Sequence, residues 1–278
     1  MRATLTIPFI RTRAVPHAVV AAWLFRVGIG MCFIGHGAFG VITKEAWLPY
    51  FGLVGIGSGM AYTLMPVVGV MDITIGIIGL LSPRRVVLAY MTGWTVWTAA
   101  LRPLAGESIW ELVERAGNFG VPLAFLLAVG IGAGRLWFTR VQTGDLGQRD
   151  APPVLTVLKA TTVLLLLGHG MLALTGANGI VAGHLAAIGL PPDLAPVLGG
   201  FEVGLAVAAT FYTTPSFLIG IAAWKVATEM LFVLAGSPGW EVIERGGSYT
   251  APLILAVLLT GQHATTRPVN DVSSVQRG

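Results

Sequence analysis

Eight long apolar runs separated by short polar or glycine-rich breaks set the pattern of the chain, roughly at 18–40, 60–81, 86–105, 118–138, 153–175, 194–213, 216–236 and 249–262. Each is close to the run of about 20 mostly apolar residues that crosses a bilayer as a helix. The alternation of apolar and polar residues that marks an outer-membrane strand is missing. The pattern therefore predicts an all-α, polytopic membrane protein with eight transmembrane helices.

Composition agrees with the pattern. Hydrophobic residues make up 55% of the 278 and charged residues only 11%, and the mean hydropathy is +0.79, values typical of a chain whose surface faces lipid. The basic excess does not form a nucleic-acid footprint, because the cations fall in alternate loops. Arg2, Arg11, Arg13, Arg84, Arg85, Arg135, Arg140, Arg149, Arg267 and Arg277 share one side, against Lys44, Arg115 and Arg245 on the other. The positive-inside rule then predicts that both termini are cytoplasmic. Arg26 interrupts the first run and no convincing small-residue cleavage pattern follows, so this run is expected to stay as a helix. Cys32 is the only cysteine, which excludes an intrachain disulfide.

The chain repeats itself. FIGHG (33–37) and LLGHG (166–170) both end a long apolar run, and Arg26 and Lys159 stand ten residues before the two histidines. After a small length difference, PVVGVMD (66–72) matches PVLGGFE (196–202), Trp94 matches Trp224, and WELVERAGNFGVP (110–122) matches WEVIERGGSYTAP (240–252). Two consecutive four-helix units follow, 1–140 and 153–278, joined by a cytoplasmic linker at 141–152. An even number of spans per unit makes the repeats parallel, related by an axis along the membrane normal. The expected architecture is two parallel four-helix bundles.

Candidate chemistry lies in the duplicated polar residues. His36 and His169 sit about fifteen residues into helices that run outward, which at about 1.5 Å per residue places them toward the outer leaflet. One reading makes them helix-packing residues, with flanking glycines for close approach. The other makes them functional, since imidazole can ligate a metal or haem iron, donate to a quinone carbonyl or shuttle a proton. Glu111 and Glu114, repeated as Glu241 and Glu244, lie at the same predicted depth and complete a candidate metal set with the histidines. Trp110, Arg115, Trp240 and Arg245 join the histidines as candidate cofactor-binding residues, although Trp in an aromatic belt with solvated Glu–Arg pairs would explain the same motif. Asp72 and Glu202 fall near the middle of spans two and six, where a lone carboxylate is costly. They are expected to pair with Arg26 and Lys159 or to be held protonated, and in the functional reading they serve with the histidines as proton-handling catalytic groups. The halves differ most where Thr95, Ala99 and Arg102 correspond to Lys225, Glu229 and Phe232, and the first two of these second-half residues have the spacing of an ion pair on one helical face. The methionines read as core filling.

An arginine in the first helix, then roughly F-I-x-H-G, then a central acid after P-x-x-G in the second helix resembles the DoxX/DoxD family of four-helix membrane proteins. The resemblance covers nearly the whole chain as two copies, carried by Arg26, His36, Gly37 and Asp72 and by Lys159, His169, Gly170 and Glu202. A lysine that the family often places soon after the His-Gly pair has no counterpart at 38–43 or 171–176. The resemblance implies quinone-linked redox or sulfur chemistry at the plasma membrane.

These readings converge on an integral membrane redox protein, or a subunit of a membrane redox complex, binding quinone, metal or haem near the outer leaflet. A small-solute transporter or channel and a non-catalytic assembly subunit are the alternatives, and clear broken helices of the kind that build transport sites are not evident in the sequence. The histidines are expected to form two separate, similar sites, His36 with Glu111 or Glu114 and His169 with Glu241 or Glu244. Reporter fusions test the topology: fusions at Arg149 and at Gly278 should both report the cytoplasm, and extracytoplasmic activity at either would overturn the parallel eight-span arrangement.

Overall fold

The computed structural model describes residues 17–131, 134–142, 146, 151–177 and 179–266. Arg2, Arg11, Arg13, Arg149, Arg267 and Arg277, with most of the expected linker, lie outside the described residues. What is described is all-helical, with no named strand, and five helices are long and apolar enough to cross a membrane.

In the first half, α1 (His17–Val41) is followed by the short α2 (Leu48–Leu53), then α3 (Ser58–Leu81), α4 (Arg85–Leu104), α5 (Ile109–Glu114) and α6 (Ala116–Ala128). The second half runs α7 (Ala151–Thr175), α8 (Ile180–Ala187), α9 (Ala195–Phe211), α10 (Pro215–Leu234), α11 (Trp240–Glu244) and α12 (Gly246–Thr266). The helix that carries the fourth apolar run of each half is thus preceded by a short helical segment, with a break between the two at Arg115 and at Arg245. Poor helix formers, Gly117 in one half and Gly246 and Gly247 in the other, follow the break. Pro122 and Pro252 then remove amide donors one to two turns further on.

The halves interlock. α1 packs on α3 within its own half but also along α12 and α11, while α7 packs on α9 and also on α6 and α5. Its buried stripe, Ala22, Phe25, Ile29, Cys32 and Phe33, has helical spacing, and Phe25 stacks on Phe125 of α6 with ring centroids 4.8 Å apart. The first and last helices of both halves make a single core, and the picture of two self-contained bundles gives way to this shared one.

Glycines allow the interlock. A Cβ on Gly37 would sit 2.5 Å from the Gly69 carbonyl oxygen, and one on Gly170 would sit 2.8 Å from that of Gly199, so the second glycine of each GHG seats α1 on α3 and α7 on α9. The first glycine faces the other half: a Cβ on Gly35 would lie 2.3 Å from the Glu244 nitrogen, and one on Gly168 2.1 Å from that of Glu114. Both histidines are therefore held between two close helix contacts. The pseudo-twofold relation shows again in exchanged partners, since the space at Gly28 is taken by Thr250 and that at Gly120 by Thr161.

Two arginines differ from their sequence reading. Arg85 is buried and donates to the carbonyls of Val129 and Gly130 at 2.7 and 2.8 Å, closing the end of α6. Arg26 donates to the Val141 carbonyl at 3.4 Å and lies over the Trp23 ring.

The glycine contacts predict an ordered set of stabilities. Gly35→Ala and Gly168→Ala should each destabilise by about 1–3 kcal/mol through forced separation of backbones. Gly93→Ala, in α4 with open space beside it, should be neutral or stabilising by up to about 1 kcal/mol. Thermal unfolding of the detergent-solubilised variants checks the order.

Candidate functional site

The two histidines face a common polar layer at one end of the helix core. In the first half, His36 Nδ1 donates to Asp72 Oδ2 at 2.7 Å, and the ring stacks on Trp47 with centroids 4.5 Å apart. Asp72 is fully buried. With Nδ1 engaged, Nε2 is the ring nitrogen left to serve a ligand. In the second half, His169 Nδ1 faces the Leu165 carbonyl at 2.8 Å, while Nε2 lies 3.0 Å from Glu229 and 3.3 Å from Glu114. Both ring nitrogens of His169 therefore face oxygen atoms.

The expected acid–cation pairs are corrected. Asp72 pairs with His36 and not with Arg26, because Arg26 stands about 15 Å further along α1, whereas Gly37 and Gly69 press His36 and Asp72 together. Glu202 pairs with Lys225 at 2.9 Å and accepts from Trp224 Nε1 at 3.1 Å. Lys225 thus takes the role expected of Lys159. It also contacts Glu229 at 3.2 Å, as the four-residue spacing predicts.

The histidine–glutamate assignments are corrected too, because they cross between halves. His169 meets Glu114 of the first half, and His36 shares a cavity wall with Glu244 of the second. The glutamates are held by basic side chains. Arg115 contacts Glu114 and also Glu111, the latter at 2.8 Å, and Arg245 contacts Glu241 at 2.5 Å and Glu229 at 2.9 Å. Lys44 reaches across to Glu241 at 3.0 Å. Consequently the six residues of the expected metal set do not converge, and among the described residues no group of three or more His, Cys, Asp and Glu side chains is placed to hold a metal ion.

Two cavities flank this layer. The first, of about 290 Å³, has aromatic and aliphatic walls from Trp47, Tyr50 and Phe51 near α2, Leu64 and Val68 of α3, and Trp94 and Trp97 of α4. His36, Arg102, Arg115, Asn118 and Glu244 supply its polar end, and Trp97 and Val54, also in its lining, are exposed. The second cavity, of about 220 Å³, is charged, with His169, Glu202, Lys225, Glu229 and Arg245 among its walls. Burial and the Arg245 guanidinium lower the pKa of His184 on its rim, which favours the neutral ring. Tyr50 borders both cavities and donates to Glu107, and burial raises its pKa.

Of the expected cofactor-binding residues, His36, His169, Arg115 and Arg245 border the cavities, whereas Trp110 and Trp240 line neither. Trp47, Trp94 and Trp97 provide the aromatic surface instead. The repeat of Trp94 and Trp224 was a signal for one of them; the inward fold of α2 that delivers Trp47 and Tyr50 has no motif. The surroundings of the two histidines are dissimilar, one largely aromatic and one charged.

Comparison with family models, with curated proteins and with solved structures returned no match to this chain. Its fold and apolar helices define an all-helical, membrane-embedded protein.

Double-mutant cycles test the corrected pairs. Glu202→Gln or Lys225→Met alone should destabilise by about 3–5 kcal/mol by stranding the remaining charge, with the double variant losing clearly less than the sum. Asp72→Asn and Arg26→Gln should instead be additive within about 0.5 kcal/mol. Reversible detergent unfolding measures both cycles.

Proposed function

We propose that the chain is a quinone-binding protein of the plasma membrane, acting in redox chemistry alone or as a subunit of a larger complex, with the first cavity as its head-group site. The observation that carries this reading is the ending of an aromatic cavity at His36, whose Nδ1 is held by the buried Asp72. A quinone head group is a flat apolar ring with polar atoms at opposite edges, and it suits a mostly apolar pocket with a few convergent donors. Trp47, Trp94 and Trp97 provide stacking surface, while His36 Nε2, Arg102 and Asn118 provide donors. The exposure of Trp97 and Val54 in its lining suits entry from lipid. The resemblance to the DoxX/DoxD family points the same way.

Eight spans accompany this reading. α4 has 20 residues, about 30 Å at 1.5 Å per residue and enough for the hydrocarbon core. The distribution of loop cations supports cytoplasmic termini, with the histidine layer toward the outer leaflet. The broken helices and charged second cavity favour one further reading, passage of a small polar solute, for which solute uptake by proteoliposomes containing the purified chain is the discriminating assay.

Binding of a short-chain benzoquinone is the direct test. Titration into the purified protein in nanodiscs should quench tryptophan fluorescence saturably, and His36→Ala and Trp47→Leu should each weaken the apparent affinity by about tenfold, the scale of one lost polar or aromatic contact. Linear, non-saturating quenching that is the same in wild type and variants would refute the site.

A further inference from the structure

At the end of the first half opposite the histidine layer, arginines gather on one small piece of backbone. Val141 donates its N–H to the Pro83 carbonyl at 2.8 Å, and Arg84 and Arg140 face each other as an isolated antiparallel bridge. Residues opposed in this way carry their side chains on one face, where two like charges repel. Arg140 gives one nitrogen to the Leu81 carbonyl at the end of α3, at 2.9 Å. Arg84 is exposed, and among the described residues no acidic side chain pairs with either arginine. Arg26 reaches the same backbone, donating to the Val141 carbonyl at 3.4 Å. It is only 7% exposed, and its Nε has no hydrogen-bond partner among the described residues. Arg84 also precedes α4, whose first turn has no side-chain cap, so the positive end of that helix adds to the same place. In the second half Thr214 stands where the repeat places Arg84, and it caps α10 by accepting from the Phe217 amide at 3.4 Å.

We propose that this end of the first half binds the phosphate of an anionic membrane lipid, held between the Arg84 and Arg140 side chains at the start of α4. A phosphate set there replaces the repulsion across the bridge with two attractions, and the planar guanidinium fork matches its oxygens. Arg26, bonded to the residue next to Arg140, adds a third positive charge. Arg85 takes no part, because its nitrogens donate to the carbonyls of Val129, Gly130 and Leu136. The distribution of loop cations supports a cytoplasmic position for this end, and basic pockets between helices on that side suit anionic head groups. Leu81, Leu136 and Phe138, on the segments that carry the bridge, are exposed and offer acyl chains an apolar surface. The proposal rests on the membrane-embedded fold and on no part of the quinone reading.

Native mass spectrometry of the full chain released from detergent micelles tests this with two short-chain probes, phosphatidylglycerol and phosphatidylcholine, the second of which carries its own ammonium beside the phosphate. The anionic lipid should bind about thirtyfold more tightly, the selectivity that two arginines at a membrane surface supply. Arg84→Thr, which copies the second half and provides a helix cap, should lower that preference about fivefold, whereas Arg84→Lys should keep most of it. Arg135→Gln removes an exposed cation from the same face without touching the bridge, and it should change the preference by less than about twofold. Equal binding of the two lipids by the wild type overturns the inference. An equal loss in Arg84→Thr and Arg135→Gln marks a diffuse surface field and also overturns it. Displacement of phosphatidylglycerol by inorganic phosphate, but not by chloride at equal ionic strength, assigns the bridge to a soluble anion and overturns the lipid assignment. Each of these outcomes leaves the quinone site to its own test.

Discussion

Charge neutralisation between the halves is the constraint on which the rest of the structure depends. Seven acidic side chains, Asp72, Glu111, Glu114, Glu202, Glu229, Glu241 and Glu244, are buried among the described residues, and an ion in an apolar surrounding is tolerated only when paired. The pairing is not arranged half by half. His169 of α7 meets Glu114 of α5, Lys44 of the first half meets Glu241 of the second, and Glu244 of α11 backs onto Gly35 of α1. Such contacts need backbones to approach within the reach of short side chains, which is why the glycines beside both histidines are as much a part of the layer as the charges.

The glycines also account for the recurrence of the GHG segment. Each glycine seats one neighbour, Gly37 and Gly170 a helix of the same half, Gly35 and Gly168 a helix of the other. The histidine between them is consequently aimed into the layer where the broken helices begin. This satisfies the packing reading of the motif without excluding the functional one, since the same placement sets His36 against the wall of the aromatic cavity.

Divergence between the repeats gave the two halves of the layer different chemistry on one frame. Lys225 and Glu229 complete a continuous charged chain with Glu202, Arg245 and His169, and the adjoining cavity is polar. Thr95 and Ala99 remove that chain from the first half, His36 turns to Asp72, and the adjoining cavity is mostly aromatic and aliphatic. Arg102 and Phe232 follow the same divide: Arg102 joins Glu107 at 3.2 Å, whereas Phe232 lies against Arg245 and His184.

The apolar runs by themselves determined the helical class and most helix positions, because lipid and core both demand long unbroken apolar stretches. The duplication likewise announced which residues are equivalent, including the Asp72–Glu202 and Trp94–Trp224 pairs that organise the sites. Partners were another matter. Arg26 and Lys159 matched the acids in charge and recurred in register, yet helical rise puts them too far along their helices, and His36 and Lys225 take the acids instead. The breaks at Arg115 and Arg245, the exchange of helices between halves and the inward position of Trp47 were decided by tertiary structure, because they depend on which backbones can touch. Hydropathy reports how apolar a helix is but not which neighbour its glycines admit, and that choice alone sets which histidine meets which glutamate.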